Sequence, residues 1–144
     1  VTPEMADGGV TLTGLTEQEM WDDPRTQAEC VAPFKEGNPD LVIEGPDQFD
    51  EGEEEWYRSI MSYCRWLTLF VMITEAAGAD LTHESFLAAA ESMSNFELPG
   101  QPYNSIKPGK YDASDAFRLS VFDADSGGDQ GELVPLTGIL DGTP

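Results

Sequence analysis

Residues 54–77, EEWYRSIMSYCRWLTLFVMITEAA, give the clearest structural signal in the chain. Their apolar side chains recur every three or four residues, which is typical of one face of an α-helix. That face comprises Trp56, Ile60, Tyr63, Cys64, Leu67, Phe70, Val71 and Thr74. From Trp66 to Ile73 the apolar residues extend around the helix, so we expect its second half to be buried on most sides. The acidic run in residues 50–55 suits the positive end of a helix dipole better than a metal site, and Gly78 supplies a left-handed stop.

Two shorter helices are predicted on either side of this long one. Asp23 and Pro24 suit the cap and the first position of a helix that runs to about Lys35. Thr82 is placed to cap a third helix over residues 83–93. Between the first two helices, residues 37–53 contain three glycines, two prolines and many acidic residues, which predicts a long acidic surface loop.

The remaining segments predict short strands. Val10 to Leu15 alternates apolar and polar side chains, and Ala116 to Asp123 does so more clearly. The turn-forming residues 125–131 separate this second strand from another at 132–136, which predicts a C-terminal β-hairpin. A short extended piece is expected near 103–106, and residues 1–9 are expected to form a flexible N-terminal segment. The fold class is therefore mixed α/β, with three helices.

The charge of the chain excludes several kinds of partner. Of 144 residues, 28 are acidic and 7 are basic, which gives a formal net charge of -21. Such a charge repels nucleic acid and anionic membranes. We interpret it as a solvated acidic surface, with a dedicated cation-binding role as the lesser alternative.

No arrangement of residues predicts catalysis, a cofactor or a metal site, so we expect the chain not to be an enzyme. His83 has no second histidine with which to build a zinc site. A nucleophile made from Cys30 or Cys64 with His83 is disfavoured because both cysteines lie on predicted core faces. Residues 123–129 begin like a calcium-binding loop, but the twelfth position is Val134 instead of a glutamate. We expect a hairpin turn there, with a weak calcium site as the lesser alternative.

A longer pattern emerges from the order of the segments after the long helix. Residues 81–90, LTHESFLAAA, are followed by Phe96, by Pro99-Gly100 and then by residues 105–119, SIKPGKYDASDAFRL. From about Gly8 onwards, this order resembles the C-terminal third of branched-chain-amino-acid-type extracellular solute-binding proteins of ABC importers, in particular their actinobacterial branch. Val10 to Leu15 resembles a strand that crosses between lobes.

The resemblance implies both a fold and a function. Residues 10–144 would be the C-terminal portion of a type 1 periplasmic-binding fold, in an extracellular or periplasmic protein that is lipoprotein-anchored in its full-length form. The full-length protein would capture a small polar metabolite such as an amino acid and deliver it to a membrane permease. Because members of the family are more than twice as long, we expect this chain alone to bind amino acids weakly or not at all. The alternative is a stand-alone acidic interaction or sensor domain without a small-molecule ligand.

The resemblance also implies particular residues. Tyr57, Arg58 and Met61 would lie near the rim of the ligand pocket, although exposed roles for the first two and a core role for Met61 stay open. The family places one cysteine in each of the two helices that carry Cys30 and Cys64, which implies a disulfide; two buried free thiols are the alternative. A portion of the larger fold would leave the apolar face of the long helix uncovered. That face would then bind the missing N-terminal part of the protein or a second copy of this chain.

Overall fold

The structure is a computed structural model that describes residues 2–49, 52 and 54–144. The α-helices of this part are α1 Pro3–Ala6, α2 Glu17–Asp22, α3 Ala32–Gly37, α4 Tyr57–Ala77 and α5 His83–Glu91. Its strands are β1 Val10–Thr13, β2 Phe96–Leu98, β3 Gln101–Asn104, β4 Ala116–Asp123, β5 Glu132–Pro135 and β6 Leu140–Asp141. A π-helical segment, Thr26–Val31, precedes α3, and short 3-10 turns occur at Pro46–Gln48 and Gly128–Gln130. The predicted mixed α/β class is confirmed.

The chain divides into two compact units. A sheet unit contains residues 2–15 and 116–142, and a helical unit contains residues 16–115. In the sheet unit, β4 pairs antiparallel with β1, β5 and β6. The predicted first strand and the C-terminal hairpin are therefore confirmed. The short helix α1 lies within the segment predicted to be flexible, and the flexibility of that segment stays a prediction.

The sheet has an unusual distribution of burial. Arg118 and Ser120 of β4 are buried, and the Ser120 Oγ lies 2.7 Å from the Thr13 Oγ1. The opposite face carries apolar side chains, because Leu12 pairs with Leu119 across β1 and β4 and cross-strand partners share a face. The Leu12 and Leu119 side chains are nevertheless exposed. One apolar face of the sheet is thus left without cover inside its own unit.

The predicted helix over residues 24–35 is confirmed, with an altered first part. Asp23 caps it as expected, since its Oδ2 accepts hydrogen bonds from the Thr26 N–H at 2.8 Å and from the Gly100 N–H at 3.0 Å. The wider π-helical turn lies directly before α3, whose second residue is Pro33. Pro33 has no N–H to donate to the carbonyl four residues earlier, and this missing hydrogen bond favours an irregular turn there.

The long helix and its successor are confirmed, with small changes at their ends. α4 begins at Tyr57 instead of residue 54, and it ends before Gly78, which has φ 81° and ψ −166°. Side chains are essentially excluded from that backbone region, which explains a glycine there. α5 begins after Thr82, whose side chain accepts from the Ser85 N–H at 3.1 Å, and it ends at Glu91 instead of residue 93. The helix α2 was not predicted.

The long loop and the extended piece are found in part. Residues 37–53 contain the 3-10 turn Pro46–Gln48 and the buried Ile43, whereas residues 50, 51 and 53 lie outside the described residues. The extended piece near 103–106 is β3, which is shifted towards the N-terminus and pairs with β2.

Two apolar clusters form the core of the helical unit, and α4 contributes to both. The first contains Trp21, Cys30, Val31, Ile43, Tyr57, Ile60 and Met61. The second contains Ile73, Ala89, Ala90, Phe96, Leu98 and Ile106. The prediction that the second half of α4 is buried on most sides is wrong for this chain, because only part of its apolar circumference is covered. The structure shows an uncovered apolar face on α4, while the premise from which such a face was expected, that the chain is a portion of a larger fold, stays a prediction.

Candidate functional site

A disulfide joins Cys30 of the π-helical segment to Cys64 of α4, with their α-carbons 5.7 Å apart. This confirms the predicted pairing, and the alternative of two free thiols is wrong. The bridge holds α4 beside the segment 26–37. Pro33 and Phe34 of this segment line a groove that lies next to α4. The bridge therefore fixes the spacing between these two helical elements.

An apolar groove of about 620 Å³ runs beside the disulfide. Its apolar lining comes from both helical elements and comprises Pro33, Phe34, Trp56, Ile60, Tyr63 and Leu67. The rings of Phe34 and Trp56 lie 5.9 Å apart, centroid to centroid. Glu29, Asn38 and Ser59 supply the polar groups at its margin. The groove can accept an apolar side chain or a short apolar segment.

The groove continues into a row of exposed side chains that we call the α4 apolar face: Tyr63, Trp66, Leu67, Phe70 and Val71. These side chains are between 43% and 67% exposed. Their spacing of three and four residues places them along one side of the helix. The Tyr63 and Trp66 rings pack edge to face, 5.3 Å apart, so the face is preformed. Contiguous apolar surface of this kind is characteristic of protein or membrane interaction sites and of ligand-binding grooves.

The three predicted ligand contacts lie at the start of α4, but in different environments. Tyr57 and Met61 are 4% and 3% exposed and belong to the first apolar cluster. The Tyr57 ring packs against Phe49 at 5.9 Å and Trp21 at 6.5 Å. Arg58 lies at the surface. Their role as ligand contacts stays a prediction.

Arg58 is held by a carboxylate that the sequence analysis did not identify. Its Nε and Nη2 donate to the two carboxylate oxygens of Glu17 at 2.6 and 3.0 Å. Its Nη1 donates to Glu55 at 3.2 Å. The Tyr57 hydroxyl donates to the same Glu17 at 3.3 Å. A ligand carboxylate that bound Arg58 would therefore have to displace Glu17.

These contacts change the acidities of the groups involved. The hydrogen bond from Arg58 lowers the pKa of Glu17, against the opposing effect of partial burial. Burial, reinforced by the charge of Glu17, raises the pKa of the Tyr57 hydroxyl. Tyr57 is thus a neutral hydrogen-bond donor, with no tendency to act as a nucleophile near neutral pH.

One local signal could have pointed to Glu17. Thr16 and Glu19 form a capping box at the start of α2, and this pattern is visible in a sequence. It would have placed Glu17 in the first turn of a helix, where acidic residues are favourable. The contact with Arg58 spans 41 residues and depends on tertiary packing, which no local pattern reports.

The residues that resemble a calcium loop form a hairpin turn, as predicted. The Asp123 carboxylate accepts from the Asp125 N–H and from the Ser126 hydroxyl, both at 2.9 Å. Among the residues that the structure describes, no group of three or more histidine, cysteine, aspartate or glutamate side chains is arranged to hold a metal ion. In the same part of the chain, no helix has the length and apolar character needed to cross a bilayer.

Comparison with known protein families, with curated proteins and with solved structures gives no match for this chain.

Proposed function

We propose that this chain is the C-terminal part of the extracellular ligand-binding component of an ABC importer, with a type 1 periplasmic-binding fold. The full-length protein captures a small polar metabolite such as an amino acid and passes it to the membrane permease. The observation that supports this proposal best is the α4 apolar face, which is preformed, exposed and continuous with the apolar groove.

An exposed face of this size is unusual for a protein that is complete in itself. Large apolar side chains scattered singly on a surface need no explanation, but a contiguous row of five does. The sheet unit has the same property, since Val10, Leu12, Leu119 and Leu136 are exposed. In a two-lobed binding protein, helices and strands from distant parts of the chain share their cores. Both uncovered faces are then places where the missing N-terminal part packs.

The charge argues against a second copy of this chain as the cover. Two copies that each carry a net charge of -21 would repel one another. The disulfide supports export, because disulfides persist in oxidising compartments outside the cytoplasm. An extracellular or periplasmic location, with a lipoprotein anchor on the full-length protein, follows from the same proposal.

The test compares this chain with the product of its whole reading frame. We expect the upstream codons to encode an export signal and the first lobe, and the whole product to bind an amino acid in calorimetry. The chain alone should show no micromolar binding of free amino acids, since half of a cleft cannot bury a ligand. A start codon next to Val1, or micromolar binding by the chain alone, would contradict the proposal and favour a stand-alone domain.

A second measurement addresses the α4 apolar face directly. The chain alone should bind an apolar dye such as bis-ANS, and the double substitution Trp66→Ser with Leu67→Ser should lower that binding without changing the far-ultraviolet circular dichroism. The binding that remains comes from the exposed apolar face of the sheet unit. Val42→Ser is a matched control, because Val42 is 75% exposed and lies outside this face. Sedimentation as a compact monomer with no dye binding would count against the proposal.

A further inference from the structure

Arg65, in the middle of α4, differs from the neighbouring arginines in its contacts. Its Nε donates to the Met61 carbonyl at 3.2 Å, and its Nη1 lies 3.3 Å from the Met20 sulfur, a weak acceptor. Among the described residues, no carboxylate oxygen lies within 4.0 Å of this guanidinium. Arg25 and Arg58, by contrast, both pair with glutamates. In a chain with 28 acidic residues, a cation without an acidic partner is conspicuous.

The guanidinium of Arg65 is also partly removed from water. Burial lowers its pKa, and no nearby carboxylate offsets that effect. Arginine nevertheless stays charged at any physiological pH. A partly desolvated cation whose donors are not all used interacts more strongly with an anion than a fully solvated one does.

Arg65 lines a cavity of about 380 Å³ that has both apolar and polar walls. The apolar walls are Trp66, Leu69, Leu98 and Ala113, and the polar groups come from Gln101 and Ser114. Tyr111 and Asp112 complete the lining. Ligand sites in proteins commonly combine mainly apolar walls with a few placed polar groups.

The one carboxylate in this lining is already engaged elsewhere. The Asp112 carboxylate lies 3.5 Å from the Lys110 ammonium, which also contacts Asp115 at 3.1 Å. Lys110 therefore offsets part of the negative charge at this edge of the cavity. Arg65 remains the cationic group of this lining, and not all of its donors are used.

We propose that this Arg65 pocket binds a small organic monocarboxylate with an aromatic or apolar body. The planar guanidinium matches the two oxygens of a carboxylate, and the indole of Trp66 with Leu69 and Leu98 receives the body. A single negative charge is favoured over a multiply charged phosphate, because the net charge of -21 repels each added negative charge. All of these residues belong to the helical unit, and the pocket needs no residue from outside it. Trp66 is shared with the α4 apolar face, so the titration below uses this chain alone, in which Trp66 is exposed.

The experiment is a nuclear magnetic resonance titration of the isotope-labelled chain with phenylacetate, phenylacetamide and inorganic phosphate. The indole N–H signal of Trp66, assigned with Trp66→Phe, reports on the pocket, and the indoles of Trp21 and Trp56 serve as internal references. We expect phenylacetate to shift the Trp66 signal saturably and to bind about tenfold or more tightly than the neutral amide. Phosphate should give no saturable shift.

Two variants test the role of the charge. Arg65→Met keeps an unbranched apolar stem and should weaken phenylacetate binding by about tenfold or more. Lys35→Met is the matched control, since Lys35 is an exposed cation of the same unit that does not line the cavity, and it should leave binding unchanged. If Arg65→Met does not fold, Arg65→Lys is used in its place. The ratio of its affinities for phenylacetate and phenylacetamide is then compared with the ratio for the wild type.

Several results would overturn the proposal. Equal affinity for phenylacetate and its amide, or unchanged binding by folded Arg65→Met, would show that the charge of Arg65 does not contribute to binding. Phosphate binding as tight as that of phenylacetate would refute the ligand class. Absence of a saturable Trp66 shift up to about 10 mM phenylacetate, where a site with a Kd of about 1 mM is nearly full, would refute the site itself.

Discussion

Removing the Cys30–Cys64 bridge should destabilise the helical unit by an amount that follows from the length of the closed loop. The bridge joins residues separated by 34 positions. For a loop of about this length, the chain-entropy relation gives a loss of about 3.8 kcal/mol in the free energy of unfolding at 25 °C when the bridge is removed. Most of this change comes from greater freedom of the unfolded chain.

The folded state adds a smaller contribution that can be measured separately. Cys30 is buried beside Val31 in the first apolar cluster, so its replacement by alanine leaves a small void that costs about 1 kcal/mol. Cys64→Ala alone removes the bridge and keeps the Cys30 sulfur in place. The double variant Cys30→Ala with Cys64→Ala should therefore be about 1 kcal/mol less stable than Cys64→Ala.

Chemical unfolding in guanidinium chloride, followed by circular dichroism at helical wavelengths, measures both differences. A loss below about 1 kcal/mol in Cys64→Ala would refute the loop reasoning, because the relation gives about 3.8 kcal/mol for a loop of this length. Mass spectrometry after alkylation of the unreduced, denatured chain checks the premise. Two labelled cysteines would show that the bridge does not form.

Two further substitutions probe the backbone and the electrostatics. Gly78→Ala should lower the free energy of unfolding by about 1–3 kcal/mol because of the positive φ of Gly78. Gly37→Ala is the control, since a methyl group there also meets open space but Gly37 has no positive φ. It should change the free energy of unfolding by less than about 1 kcal/mol, and equal effects of the two substitutions would contradict the backbone explanation. Arg58 depresses the pKa of Glu17 from its ordinary value of 4.5, so the stabilisation by this carboxylate is present above that value and is lost as the pH falls through the folded-state value. Thermal unfolding midpoints between about pH 6 and pH 3 should fall more steeply for the wild type than for Glu17→Gln, and parallel curves would rule out a contribution from this pair.

The elements that the sequence predicts correctly are those with local signals. α5 has its cap at Thr82, and the hairpin of β4 and β5 has an alternating strand followed by a glycine-rich turn. Each signal is contained in about ten residues, so it needs no knowledge of distant contacts. α2 has a local signal too, in Thr16 and Glu19, but a helix of six residues has little apolar periodicity of its own.

Burial was harder to predict than secondary structure. The spacing in α4 identifies an apolar side of the helix but contains no information about what covers it. Phe70 and Ile73 look alike in the sequence, yet Ile73 packs on α5 and β2 in the second cluster while Phe70 is exposed. The same limit applies to Arg118, which lies at a polar position of an alternating strand and is buried.

The candidate sites depend even more on tertiary contacts. The pairing of Cys30 with Cys64 was implied by the family resemblance and agrees with the structure. Glu17 meets Arg58 only because α2 packs against the start of α4. Arg65 looks in the sequence like one more solvated charge on a helix, and its surroundings appear only when residues 98–114 fold beside α4.

The disulfide also alters what a single cut in the chain would do. A protease that cleaved the acidic loop between α3 and α4 would separate residues 1–37 from residues 57–144 in sequence, but the Cys30–Cys64 bond would still connect the two pieces. On a denaturing gel without reductant such a nicked chain would migrate as one species, and reductant would split it in two. If the protein acts outside the cell, where proteases are common and reductants scarce, a cut in this loop would leave both halves joined.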